Sequence, residues 1–178
     1  MTKAIMAAAA PQFARPGDTT AYAAFDLIAN STTAASVVPL RFDFKTTSRF
    51  LQIDRALFRK SSTGTTNPNF RLNLFSAAPT IATNGDNSIM SGNTTGATTF
   101  IGCLQLAGTV TPMVDGCVGN MIPSSHTSLM PHPLLIDAQA LLGGGDTVTL
   151  YGLLEALAAY APGNAETFNV TLFARPLD

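Results

Sequence analysis

Hydrophobic residues in this chain recur mostly with a period of two. Val38, Leu40, Phe42 and Phe44 share one face of an extended segment, Val37 to Phe44, while Arg41 and Asp43 share the other. Pro39 has no amide proton, so this strand starts at a sheet edge or carries a bulge. Phe70 to Phe75 alternates with Leu72 and Leu74 inward and Arg71 and Asn73 outward. Thr147 to Leu157 places Val148, Leu150 and Leu154 on one face. Thr167 to Ala174 turns Phe168, Val170 and Leu172 inward. Asp18 to Ala29, Thr99 to Leu106 and Leu134 to Asp137 are further strands on composition and flanking turn residues.

Arg49 to Arg59 is the longest mixed stretch. Leu51, Ile53 and Leu57 fall on one side with Arg55; Phe50, Ala56 and Phe58 fall on the other with Gln52 and Asp54. A strand with apolar residues on both sides implies that neither side is fully wet. Two stretches carry weaker patterns. Thr80 to Thr98 is a long polar loop, a length usual for functional or interface elements. Gly108 to Pro133, broken by prolines and glycines, reads as an irregular excursion with at most short strands. Helical periodicity is confined to Ile136 to Leu142. The expectation is an all-β chain of about eight strands, an antiparallel β-sandwich of jelly-roll type. Residues 18–178 form its single domain. Residues 1–17, with Pro11 and Pro16 and no strand-length apolar run before Phe13, form an N-terminal arm that orders on assembly.

Composition sharpens this picture. Only 12% of residues are charged, about half the ~25% usual in soluble domains. Thr occurs 23 times in their place. Burying a bonded hydroxyl costs far less than burying a charge, so such strands suit a subunit whose faces are covered by others. The net charge of −1 predicts neither a nucleic-acid nor a membrane partner. The distribution is uneven. Residues 41–71 hold seven of the ten basic side chains against two acids, and residues 72–178 hold one base against seven acids. Ordinary solvated charge explains this; so does a basic edge that meets an acidic neighbour, either an identical subunit or a larger shell.

Candidate chemistry is sparse. His126 and His132 stand near Ser124 and Ser125 without a nucleophile elbow, and lack a third metal ligand at a recognisable spacing. Gly143-Gly144-Gly145-Asp146 leads into a strand, where a phosphate cradle needs a helix. Glu155 and Glu166 flank a turn and could face each other as an acid–base pair. Asp86 sits in a fragment of calcium-loop type that lacks its distal ligand. Cys103 and Cys117 are either buried thiols or one loop-closing disulfide. The aromatics between the basic residues of 41–71 are placed for core packing rather than for stacking on nucleic acid. No enzyme activity, cofactor or metal is expected.

Three segments carry a resemblance: Asp18 to Ser31, Phe70 to Thr80, and Tyr151 to Leu172 with its Tyr160-Ala-Pro-Gly turn and Ala165-Glu-Thr-Phe168 strand. They resemble small proteins encoded beside the major capsid protein in tailed bacteriophages. Phe25 stands where that pattern has a glycine, and Gly108 to Pro133 matches nothing in it. The resemblance implies a capsid decoration, or cement, protein on the outside of a phage head, made in the host cytoplasm, with the major capsid protein as partner. A homotrimer is expected from the uncharged polar strands and the two-sided strand Arg49 to Arg59. Expected interface residues are Ile5, Met6 and Phe13 of the arm and Arg49, Arg55, Arg59 and Lys60 of the basic edge. Alternatives are a tail or baseplate adaptor, a fibre head, and a carbohydrate-binding jelly roll. The absence of Trp weighs against the last.

Overall fold

The alternating segments all form strands, and the computed structural model joins them in one antiparallel sheet. It describes residues 4–64, 69–82, 84–90, 94–124, 133–142 and 145–177. The strands are β1 (Met6–Ala9), β2 (Phe13–Ala14), β3 (Leu27–Ile28), β4 (Leu40–Lys45), β5 (Phe50–Lys60), β6 (Phe70–Phe75), β7 (Phe100–Leu106), β8 (Thr111–Met113), β9 (Gly116–Ser124), β10 (Leu134–Asp137), β11 (Thr147–Ala156) and β12 (Thr167–Leu177). Short helices α1 (Thr94–Thr99) and α2 (Ala138–Leu142) interrupt them. The second lies inside the segment with helical period.

The sheet runs β1-β12-β5-β9-β7-β6-β11-β3. β4 shares an edge of β11 with β3, and β10 continues the β9 edge along β5. β1 lies beside β4, so the two ends of the sheet approach each other and its inner face closes round one core. The all-β antiparallel class is thus as expected. Phe42, Phe44, Phe58, Phe70 and Phe168 are fully buried there. Phe70 packs tilted on Phe58 and edge-on to Tyr160, each with centroids 5.0 Å apart. Such pairs add about 0.5–1.5 kcal/mol each beyond area burial.

A bulge resolves the two-sided strand. β12 pairs Phe173 with Arg55 but Ala174 with Ile53, leaving Asp54 as an extra residue. The extra residue reverses the alternation. Leu51 and Ile53 face the core on one side of it, and Ala56, Phe58 and Lys60 face the same core on the other. The apolar residues at both parities therefore report one buried face, and this strand no longer argues for a homotrimer.

Residues 4–17 also differ from the expected arm. Met6–Ala9 pairs with Ala174–Thr171, and Phe13–Ala14 pairs with Phe168–Thr167. Between them the Ala10 amide donates to Val170 O at 3.0 Å. The two prolines fall between ladder positions, so they cost no sheet bond. The core of the chain itself supplies the surface that orders this segment.

The excursion from Gly108 is likewise more regular than its composition. β9 is nine residues long and sits between β5 and β7. Its glycines serve close packing rather than turning. A Cβ on Gly116 would lie 2.2 Å from Lys60 O, and one on Gly119 would lie 2.6 Å from Leu106 Cδ1. Pro123 is tolerated because β5 leaves the ladder after Met121, so only β7 pairs there. Conversely, Asp18 to Ala29 yields only β3 and the isolated bridges Tyr22–Tyr160 and Asp26–Ile89. Among the described residues, no helix is long and apolar enough to cross a membrane.

Candidate functional site

Among the described residues of this low-charge chain, three ion pairs are buried. Lys60 points into the core side of β5 and is 3% exposed. Its ammonium donates to Glu166 Oε1 at 3.2 Å, Tyr160 Oη at 3.0 Å and Ser62 O at 2.9 Å. The Tyr160 hydroxyl donates to Glu166 Oε2 at 2.6 Å. Burial, then the bonded carboxylate, holds the Tyr160 phenol well above the ordinary range. The second pair joins distant segments. Arg15 Nε donates to Tyr22 Oη at 2.8 Å, and Tyr22 Oη donates to Asp86 Oδ1 at 2.7 Å. Arg15 also reaches Asp86 Oδ2 at 3.4 Å, and the Ala29 amide donates to Asp86 Oδ1 at 2.7 Å. The Tyr22 and Tyr160 rings stack at 6.2 Å, which links these two clusters. Arg15 thereby helps to anchor residues 4–17 to the rest of the chain.

The third pair lies on the outer face of the sheet. Arg71 Nε and Asn73 Nδ2 both donate to Glu155 Oε2, at 2.8 and 2.9 Å. Ladder register places Arg71 directly opposite Glu155. A smaller apolar cluster covers this half of the sheet: Leu27, Ala29 and Ile81 pack on Phe75 and Leu153, with Val37, Met90 and Tyr151 around them. Cys103 lies on the same face, donating to Ser124 O at 3.2 Å, and burial raises its thiol above the usual range. These arrangements hold charge without presenting it. A general acid, base or nucleophile must reach its substrate, and these groups are closed off by their own partners. Glu155 and Glu166 belong to separate clusters, so they do not form an acid–base pair. Asp86 accepts from protein donors in place of a calcium ion. Cys103 and Cys117 are free thiols, both buried. Among the described residues no three His, Cys, Asp or Glu side chains converge on a metal site. His126, His132, Ser125, Gly143 and Gly144 lie outside the described residues.

What the chain does present is the outer face of β12, β5 and β9. Arg55 lies 3.9 Å over the Phe173 ring and donates to Asn120 Oδ1 at 3.2 Å. Leu57, Thr171 and Ile122 lie half-buried around them. At one end this face deepens into an open groove of about 520 Å³. Arg59, Thr167, Asn169 and Val118 line its floor, and Gln12 and the β8–β9 hairpin form its sides.

The expected interface residues are therefore divided. Arg55 and Arg59 share the open face. Arg49 is exposed and lies over the Phe50 ring at 5.0 Å. Ile5 is exposed, whereas Met6 packs against the core and Phe13 stacks on Phe168 at 5.5 Å. Lys60 is inside, against the expectation that it belongs to a surface edge. The bulge at Asp54 turns it inward.

One further feature escaped the sequence reading. Phe25 has φ +74°, in the left-handed region, and is 53% exposed. Its amide donates to Ala156 O, and its carbonyl accepts from the Met90 amide at 2.9 Å. The conformation costs a non-glycine residue about 1–2 kcal/mol. This left-handed backbone is one that glycine adopts without that cost. No protein family matches the chain, and no curated protein is significantly similar to it.

Proposed function

We propose that this chain is a structural virion protein that decorates the outside of a bacteriophage head and bridges capsid subunits. The sequence resemblance of three segments suggests this class. The observation that carries the reading is the open outer face of β12–β5–β9, a stiff surface that crosses three strands. Arg55 is held over the Phe173 ring there, so little side-chain freedom is lost when a partner docks. Lys45, Arg49 and Arg55 have no carboxylate partner among the described residues, which suits an acidic shell. A ligand that binds only the assembled shell stabilises it by mass action.

The test is co-sedimentation of the purified chain with empty heads of the phage that encodes it, followed by thermal disruption of the heads. Binding with a raised disruption temperature is expected. Absence of the chain from the head fraction at micromolar concentration overturns the reading.

A further inference from the structure

Arg59 stands apart from the other arginines. Arg15, Arg41, Arg71 and Arg175 each pair with a carboxylate. Arg49 and Arg55 lie over aromatic rings. Among the described residues Arg59 alone has neither kind of partner, and it is exposed on the groove floor. Asp115 lines the same groove, is also exposed, and has no cation within 4.0 Å among the described residues. It sits at the tip of the β8–β9 hairpin. That tip also carries Met113, 51% exposed, and Val114, 102% exposed. Among the described residues nothing covers these two apolar side chains at the hairpin tip.

We propose that the groove and this hairpin together form a contact with a second copy of the same chain. The occupant follows from charge and adjacency. The groove offers an unpaired cation, and the tip beside it offers an unpaired anion flanked by apolar surface. A two-fold apposition sets each Asp115 against the other copy's Arg59 and lays each Val114 over the other's floor at Val118, Thr167 and Asn169. Tip and groove are neighbours on one face, so the contact is reciprocal and closes with two copies. A chain with one unpaired cation and one unpaired anion at one groove is complementary to itself, whereas a uniformly acidic partner would meet Asp115 with a like charge. The contact does not depend on the decoration reading.

The test is sedimentation equilibrium of the full chain from micromolar to submillimolar concentration, with D115R, R59E and the double variant D115R/R59E. Both positions are exposed, and thermal unfolding followed by circular dichroism verifies that each variant keeps its fold. The expected result is a concentration-dependent dimer. Each single reversal should weaken it about tenfold or more, and the double variant should restore it. A monomer at every concentration overturns the proposal. So does a dimer that the single reversals leave intact, a double variant that fails to recover, or a trimer. If the chain is monomeric yet binds empty heads and R59E abolishes that binding, the groove belongs to the shell contact: the decoration reading survives and this one fails.

Discussion

Arg71 and Arg59 point to the same side of one sheet and meet opposite fates. Over β6 and β11, the turns around Leu27 and Ile81 fold back and seal Arg71 against Glu155. Over β12, β5 and β9 none of the described residues folds back, and Arg59 stays in solvent. Residue type does not separate the two regions. The cover does. Once sealed from water, a charge must find its counter-charge within the chain, so the covered half is fixed and specific. The uncovered half is left free for binding.

The largest effect expected from this contrast is on stability. Arg71→Leu leaves Glu155 buried without its cation, and Lys60→Met does the same to Glu166. Each should cost about 3–5 kcal/mol, read from urea unfolding. Arg59→Leu should leave the midpoint nearly unchanged. Equal losses at Arg59 and Arg71 would erase the distinction between the two halves.

The cover itself is the next target. A Cβ at Gly85 would lie 2.0 Å from Ser31 O, where the neighbouring Asp86 amide donates to the same carbonyl at 2.6 Å. Gly85→Ala should therefore push the turn apart and cost about 1–3 kcal/mol. Native-state hydrogen exchange should show the loss concentrated in residues 27–37 and 81–90.

The thiols probe the same contrast more gently. Cys103 lies on the covered half of the outer face, whereas Cys117 faces the core at the end of the groove, and both are buried. At pH 8 alkylation followed by mass spectrometry should label Cys117 first, and both fully on unfolding. Because the folded protein holds the Cys103 proton more tightly than the unfolded chain does, stability should fall as pH rises above the ordinary thiol pKa. Cys103→Ser should remove that part of the slope. The smallest effect is expected at Ala165, exposed with φ +48°. Ala165→Gly relieves that strain, less the entropy that glycine adds to the unfolded chain, for a gain of about 0.5–1 kcal/mol in thermal unfolding.

Leu40–Lys45 and Thr167–Leu177 were legible as alternation because each buries one face, and Phe70–Phe75 alternates in type although the cover buries its other face as well. β5 was visible as a strand but misread in facing, since a bulge shifts parity without changing composition. β9 was hidden because Gly116, Gly119 and Pro123 look like turn residues, and only their neighbours show that they serve packing. The docking of residues 4–17 joins β1 and β2 to β12 and Arg15 to Asp86 across 71 positions, pairings that no local pattern carries. For the candidate site, the excess of basic residues in 41–71 pointed at β5. Which of those cations reach solvent depends on partners distant in the chain, so Arg59 and Lys60, adjacent in sequence, could not be told apart.

β12 comes after all of its ladder partners in the chain: β1, β2 and β5 each precede it by more than a hundred residues. During synthesis these three strands must wait with one edge unpaired until β12 has left the ribosome. Closing such distant ladders carries a large loop entropy before any bond rewards it, so folding should be slow and late. In the interval the alanine-rich, uncharged β1 is the edge most open to a stray strand. The tie from Arg15 to Tyr22 and Asp86 does not need β12, so it should hold β1 close to the rest of the chain until β12 arrives.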